Sequence, residues 1–95
     1  MKTVRKLNRR LTWHDIPDPA SQQLDELAAA HSLHPLHIED CRHRGQRTKV
    51  DRGDDYLFIV LKLLLLEESN ELTVGDLGMF VGSDFLITVH EAHLP

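Results

Sequence analysis

The residues of this sequence that could do chemistry are concentrated at positions 33–49, in the stretch LHPLHIEDCRHRGQRTK. This stretch holds three histidines, an adjacent Glu-Asp pair, the only cysteine of the chain and four Lys or Arg residues. Such residue types serve metal binding by carboxylate, imidazole or thiolate, nucleophilic catalysis by a thiol next to a base, or binding of polyanions. Their spacing decides which of these chemistries is open to the chain.

A zinc site is the first possibility. His37 and Cys41 are four residues apart, which places both on one face of a helix, with Asp40 beside them. A structural zinc ion takes four ligands, and no second closely spaced pair completes the set convincingly. Packed or surface side chains are therefore the favoured reading of His37 and Cys41, and a zinc site remains the alternative.

Catalysis would have to use Cys41 with His37 or His43 as its base. The sequence shows neither an oriented base nor a lowered thiol pKa, both of which a nucleophilic cysteine needs. The five glycines are dispersed at turns rather than gathered in a phosphate-binding loop. We therefore predict that the protein is not an enzyme and has no small-molecule substrate.

Glu39 and Asp40 offer a different chemistry, that of a hard cation. Mg²⁺ prefers oxygen ligands, keeps several waters and often uses only one or two carboxylates of a protein. Adjacent helical residues point about 100° apart, so Glu39 and Asp40 cannot both face one ion squarely. The residues alone leave two readings open, a partial magnesium site and a solvated helix surface.

A basic run follows the Glu-Asp pair and carries no interleaved aromatic residue for stacking on bases. The chain as a whole is acidic, with a net charge of −4, so we predict that it does not bind nucleic acid. The run is interpreted as a solvated loop, or as a surface that pairs with acids of an adjoining subunit or with an anionic membrane. Its members are Arg42, Arg44, Arg47, Lys49 and Arg52.

The elements that must position these residues begin with a strand at residues 11–16. Asp18 as N-cap and Pro19 as first helical residue predict a helix that runs to His31. A second helix is predicted from Pro35 to about residue 43, stopped by Gly45. The Glu-Asp pair and Cys41 belong to this second helix.

Strands are predicted for the rest of the chain. Residues 47–50 suit a short strand, and the apolar run 56–66 suits a strand buried on both faces. Residues 72–81 alternate with a register change near Gly75, which predicts a bulge, and a tight hairpin leads to a last strand at 85–89. The fold class is therefore α/β (α+β), a mixed, largely antiparallel sheet with two short helices on one face. The second face is either solvated or covered by a missing segment or a partner.

Size and composition predict one domain, residues 1–95, with its core at about 11–91. A single cysteine forms no internal disulfide, no apolar segment of a signal peptide follows the cationic start, and the longest apolar run is half a membrane span. These features predict a soluble, cytoplasmic chain. Charge is uneven, because residues 1–52 have ten Lys or Arg against seven acids and residues 53–95 have one against eight.

The chain resembles the N-terminal cytosolic domain of the CorA-type magnesium transporters. The resemblance rests on three segments that occur in the same order, LHPLHIED, QRTKVDRGDDYLFIVLK and GMFVGSDFLITVHE. Trp13 falls where that family often has a tryptophan, and the resemblance covers about residues 11–91. It implies a cytosolic domain at the inner membrane of a homopentamer, with Mg²⁺ bound between neighbouring subunits. Some relatives carry Co²⁺ or Zn²⁺ instead.

By this resemblance, Asp40 corresponds to an inter-subunit magnesium ligand and Glu39 to a neighbour implicated in a weaker site, with the partner acid on the stalk of the next subunit. Gln46, Arg47 and Lys49 match the family's Gln-Arg-Pro-Lys stretch, in which Thr48 stands where the family has proline. The stalk, the transmembrane helices, the Gly-Met-Asn motif and most strands before Trp13 are expected to be missing.

The function expected from the resemblance is that of a metal-sensing cytosolic domain, or a fragment of one, that does not transport ions by itself. The alternative is a stand-alone small zinc-binding regulatory protein that uses His37, Asp40 and Cys41.

Overall fold

A computed structural model of the chain describes residues 3–6, 11–43 and 47–91. Six strands and two helices follow one another along the chain. They are β1 (Thr3–Lys6), β2 (Thr12–Ile16), α1 (Gln22–His31), α2 (Pro35–Arg42), β3 (Lys49–Arg52), β4 (Tyr56–Leu66), β5 (Leu72–Gly82) and β6 (Phe85–Val89).

The strands form one sheet in the order β1-β2-β6-β5-β4-β3. Every neighbouring pair is antiparallel except β2 and β6, which run parallel. This parallel pair requires a long connection, and the two helices, the β3–β4 hairpin and β5 supply it between β2 and β6. The predicted fold class is confirmed, a mixed and largely antiparallel sheet with two helices. Within the described residues, the strand β1 precedes Trp13 and pairs with β2.

The first helix begins later than the sequence predicted. Asp18 closes a turn instead of capping the helix, because its Oδ1 accepts a hydrogen bond from the Ala20 amide. Ser21 is the N-cap, and its hydroxyl accepts from the Gln23 amide at 3.1 Å. Ser32 closes the helix in the left-handed conformation, at φ 54°. This position ends the helix next to His31, as predicted.

The second helix begins at Pro35, as predicted, after His34 as its N-cap. The ring Nδ1 of His34 accepts a hydrogen bond from the Leu36 amide at 3.1 Å, a role more often taken by Ser, Thr or Asp. The helix ends at Arg42, and the predicted stop at Gly45 lies outside the described residues. This short helix carries the candidate metal ligands.

The core lies between the two helices and one face of the sheet. Phe58 of β4 faces Phe80 of β5 across the ladder, and Phe80 faces Ile87 of β6. These three side chains are fully buried, together with Ile16 and Leu24. Burial of this apolar surface is the main stabilising term of the fold.

Three details of the strands differ from the sequence predictions. β3 occupies Lys49–Arg52, two residues later than predicted. β4 has the predicted bounds, but the prediction that it is buried on both faces was wrong, because Leu57 is 40% exposed and Leu64 67% exposed. No bulge interrupts β5, since its pairing with β4 runs in one register from end to end. Gly75 is part of the extended strand but has no side chain, so the alternation of apolar and polar residues in the sequence is interrupted there although the backbone is regular.

Neither α1 nor α2, the helices of the described part of the chain, is long and apolar enough to cross a membrane.

Candidate functional site

Asp40 lies in the last turn of α2, and its side chain is 24% exposed. Lys49 Nζ donates a hydrogen bond to Asp40 Oδ2 at 2.6 Å. Lys49 pairs with Val60 in the β3–β4 ladder, so its side chain rises on the helix-covered face of the sheet and meets α2 there. The carboxylate that the sequence singled out is therefore held in place by a cation of the same chain.

Asp40 also lines an open cleft of about 630 Å³ between α2, the 17–20 turn and the sheet. The floor of the cleft is apolar, formed by Val60, Gly78 and Val89. Its acidic lining consists of Asp18, Asp40, Asp76 and Glu91. Lys62 donates a hydrogen bond to Asp76, as Lys49 does to Asp40, so both of these carboxylates are ion-paired within the chain. The sequence did not predict this acidic lining, because positions 18, 40, 76 and 91 lie in a turn, on a helix, on a strand and after the last strand, and only the tertiary packing brings them together.

Glu39 projects away from this arrangement. Its side chain is 60% exposed and lies 3.9 Å from His43 Nδ1. The residues described by the structure include no group of three or more His, Cys, Asp or Glu side chains that could hold a metal ion. Asp40 and Glu39 therefore do not belong to such a group within the described residues.

His37 is a core residue that is fully engaged by hydrogen bonds. Its Nδ1 lies 2.7 Å from the Tyr56 hydroxyl, and its Nε2 lies 2.9 Å from Asp51 Oδ2. The Asp51 carboxylate can only accept, so Nε2–H donates to it. In the tautomer with the proton on Nε2, Nδ1 accepts from the Tyr56 hydroxyl, which itself accepts from the His34 amide at 2.8 Å. With both nitrogens engaged, the ring has no lone pair to offer a zinc ion.

The network around His37 changes the acidity of its partners. The hydrogen bond from His37, helped by the Arg52 amide, holds the pKa of Asp51 below its usual value. Burial raises the pKa of Tyr56 above its usual value. The His37 ring also stacks on Phe58 with centroids 4.5 Å apart. These contacts describe a satisfied structural histidine, as the favoured sequence interpretation had it.

Cys41 is held as a neutral thiol. Burial, and to a lesser extent the charge of Asp40, raises its pKa to about 12. Its sulfur lies against Gly78, where an added Cβ would come within 2.8 Å of Sγ. A thiolate is what binds zinc and what attacks an electrophile. This environment disfavours the thiolate, so it gives no support to the zinc or the nucleophile hypothesis.

The basic run divides into structural and exposed members. Arg42 joins the two helices, because it donates to the Pro19 carbonyl at 2.8 Å and pairs with Asp25 at 3.1 Å. Lys49 pairs with Asp40, while Arg47 and Arg52 are exposed. Arg44 lies outside the described residues. The run is therefore a mixture of internal ion pairs and solvated cations.

A second polar network was not predicted from the sequence. The Trp13 Nε1–H donates to the Thr88 hydroxyl at 2.9 Å, and that hydroxyl donates to Asp15 Oδ1 at 2.7 Å. His90 Nε2 lies 2.9 Å from the same oxygen. Trp13 and Asp15 lie on the parallel β2–β6 pair, which links the two ends of the chain. The network is structural, and the non-local pairing that creates it leaves no local sequence signal.

The family model and the relatives that match this chain all describe metal ion transporters. The family model described as "CorA-like Mg2+ transporter protein" matches residues 8–95. The "Putative metal ion transporter YfjQ" of Bacillus subtilis (strain 168) is 34% identical over 83 residues, which cover 87% of this chain. The "Putative metal ion transporter C17A12.14" of Schizosaccharomyces pombe (strain 972 / ATCC 24843) is 30% identical over 80 residues, or 82% of the chain.

The solved structures agree with these relatives. The soluble domain of CorA from Methanocaldococcus jannaschii superposes with a TM-score of 0.69 at 26% identity over 86% of this chain. The full-length CmaX protein, at 17% identity, shares the fold with a TM-score of 0.68 over 93% of the chain. The chain spans 25% of the length of YfjQ, 13% of that of C17A12.14, 32% of that of the CorA soluble domain and 28% of that of CmaX.

Proposed function

The chain belongs to the family of CorA-like Mg2+ transporter proteins, and from this premise we propose that it acts as the metal-sensing domain, or part of one, on the cytosolic side of a transporter. The observation that carries the proposal is the position of Asp40, an accessible carboxylate at the end of α2 that lines an acidic cleft. In this proposal the domain binds Mg²⁺ according to its internal concentration and does not conduct ions itself.

The donor set supports half of a magnesium site. Asp40 would hold the ion directly or through water, with Glu39 next to it as a weaker ligand on the exposed side of α2. A bound Mg²⁺ would supply a positive charge that links this carboxylate to acids of a second subunit. Within this chain, Lys49 positions the Asp40 carboxylate and keeps it paired when no metal is present.

Lys49 sets the affinity that we expect. A divalent ion must compete with an ammonium group 2.6 Å from the carboxylate oxygen, so binding to one copy of the chain is weak. Association of several copies brings more carboxylates to the site and makes it tighter. The proposal therefore includes a homo-oligomer, and Co²⁺ is a second ion that hard oxygen ligands accept.

The test is a titration of the 95-residue chain with Co²⁺, followed by paramagnetic relaxation of its amide NMR signals. We expect broadening centred on α2 and β3, with Mg²⁺ competing for the site. Asp40→Asn should remove most of the broadening, and Lys49→Met should tighten binding several-fold because it frees the carboxylate. Asp84→Asn, which changes an exposed acid in the β5–β6 turn, is the matched control. Broadening that is indifferent to Asp40→Asn would refute the site.

A further inference from the structure

The outer edge of β5 is unpaired over about half of its length. β4 pairs with β5 from end to end, whereas β6 pairs with β5 only at residues 78–81. At residues 72–77, no strand of the described part of the chain lies on the side of β5 that β6 occupies further along. We name residues 72–77 the open edge. An edge of this kind presents main-chain N–H and C=O groups that a further strand can bind.

The hydrogen-bond pattern of the β4–β5 ladder determines which residues of the open edge face outward. At the closed end of the hairpin, the Glu67 amide donates to the Glu71 carbonyl at 2.9 Å. Hydrogen-bonded and non-hydrogen-bonded pairs alternate along an antiparallel ladder, so the next pair, Leu66 with Leu72, is non-hydrogen-bonded. Residues 72, 74 and 76 therefore direct their N–H and C=O groups away from β4, toward the side without a strand.

The open edge lacks the usual protection against pairing with another chain. Natural sheet edges are commonly blocked by a lysine, a proline or a bulge. The sequence of the open edge, LTVGDL, has no Lys, Arg or Pro, and its pairing with β4 contains no bulge. Two of its outward residues are apolar and exposed, since Leu72 is 59% and Val74 56% exposed. The edge is therefore accessible to a strand that also carries apolar side chains.

Acidic residues lie at both ends of the open edge. At one end, Asp76 lines the cleft described above together with Glu91, which follows β6. At the other end, the turn between β4 and β5 carries three exposed acids, Glu67, Glu68 and Glu71. Residues 53–95 as a whole have one Lys and no Arg against eight acids. This charge favours a cationic partner, and it opposes the pairing of two copies edge to edge, which would bring the acids of both copies together.

We propose that the open edge binds an extended segment of a basic partner protein, which adds to β5 as a strand in line with β6. Like β6, this strand runs antiparallel to β5. It carries a Lys or Arg beside Asp76 and then apolar residues at the next two alternate positions, beside Val74 and Leu72. Main-chain hydrogen bonds supply the affinity, and the side chains at alternate positions supply the specificity. The contact uses neither Asp40 nor Lys49, so it does not depend on the proposed magnesium site.

The experiment uses a designed peptide, acetyl-TKTVTVT-amide, whose lysine and two valines occupy the three alternate positions in the order required. The peptide is titrated into the isotope-labelled 95-residue chain, and amide NMR signals and hydrogen exchange are followed. We expect chemical-shift changes at residues 72–77 and slower exchange of the Leu72, Val74 and Asp76 amides. The peptide acetyl-TETVTVT-amide, with glutamate in place of lysine, should bind about fivefold more weakly, because it brings like charges together.

Two proline variants at one position of the ladder separate the two edges of the hairpin. Val74 and Leu64 face each other in a non-hydrogen-bonded pair, so proline at either position removes only an outward N–H. Val74→Pro should abolish binding of the lysine peptide, because it removes a donor of the open edge. Leu64→Pro, which changes the edge of β4, is the matched control and should bind the peptide as the parent does. Circular dichroism checks that both variants keep the fold.

Asp76→Asn tests the charge without a proline. It should weaken binding of the lysine peptide by about fivefold and leave binding of the glutamate peptide no weaker than in the parent. Equal binding of the two peptides, an equal loss in both proline variants, or shift changes away from the open edge would overturn the proposal. Protection of the open edge that appears without peptide and grows with the concentration of the chain would assign this edge to a second copy, and would overturn it as well.

Discussion

The two halves of the β4–β5 hairpin share one strand pairing but differ in burial. The near half consists of residues 56–60 and 78–82, and the far half of residues 61–66 and 72–77. In the near half, Tyr56, Phe58 and Phe80 lie under the helices and are at most 6% exposed. In the far half, Leu64 and Leu72 lie on the same face of the same strands and are more than half exposed. Strand pairing runs through both halves in one register. The difference therefore comes from what covers the strands and not from the strands themselves.

This difference in burial implies that the two halves contribute unequally to the stability of the domain. The near half holds aromatic rings in contact, with Phe58 and Phe80 centroids 4.8 Å apart and His37 stacked on Phe58. The far half holds aliphatic side chains that gain nothing from the helices. We infer that the near half stabilises the domain, while the far half contributes little to its stability.

The largest expected effect tests this division directly. Phe58→Ala removes a fully buried ring beneath α2, so we expect the free energy of unfolding to fall by about 3–5 kcal/mol, as for other buried aromatic truncations. Leu64→Ala in the far half should cost less than about 1 kcal/mol, since its side chain is 67% exposed. Urea unfolding followed by circular dichroism measures both. Equal losses at the two positions would abolish the distinction.

A second test concerns the thiol that α2 presses against the near half. Burial raises the pKa of Cys41 to about 12 from an ordinary 9.0, so the thiolate fraction at pH 8 is about a thousandfold lower than that of a free thiol. Alkylation by iodoacetamide should be slower by a comparable factor in the folded chain. The same chain unfolded in urea, with glutathione as a reference, provides the control. A folded-state rate within tenfold of the unfolded rate would contradict this environment.

Raising the pH further should also weaken the fold. The folded-state pKa of Cys41 lies above the unfolded value, so its contribution is fully present below pH 9 and declines between about pH 9 and pH 12. A Cys41→Ala variant should lack this decline. The comparison is a urea unfolding series across that range.

The sequence predicted most of the elements because its local signals were strong. The run 56–66 and the alternation at 85–89 are both strands with the expected bounds. The start of α1 was missed, because Asp18 and Ser21 are both good N-caps and only the local turn decides between them. Predicted burial of β4 on both faces failed because a leucine run does not say where the helices end.

The site was less predictable than the fold. Asp40 stood out in the sequence, but its pairing with Lys49 depends on β3 lying beside β4 under α2. The partners of His37 are similarly non-local, since Tyr56 and Asp51 reach it from two strands. Residue types and spacing indicate a candidate ligand, whereas its partners depend on contacts between distant segments.

Tyr56→Phe is expected to have a moderate effect that is confined to the near half. The change removes a hydroxyl that accepts from the His34 amide and donates to His37 Nδ1, and it leaves the aromatic ring in place. We expect a loss of about 1–2 kcal/mol, because the buried His37 ring nitrogen and the part-buried His34 amide lose a partner. His34 is also the cap of α2, so hydrogen exchange should rise at the start of that helix. No change in exchange there would show that the hydroxyl does not support the cap.

The smallest effect is a pH dependence at the edge of the near half. The hydrogen bond from His37 holds the pKa of Asp51 below its ordinary 3.8, so this carboxylate stabilises the folded state above that value. As pH falls through the folded-state pKa, the proton binds, and the contribution is lost. Asp51 is exposed, so the change is small, and urea midpoints between pH 5 and pH 2.5 should reveal it as a steeper decline in the parent than in Asp51→Asn. Asp54→Asn, in the adjacent turn, should keep the steep decline. If the parent and Asp51→Asn declined in parallel, the hydrogen bond to His37 would not contribute to acid stability, and the near half would rely on packing alone.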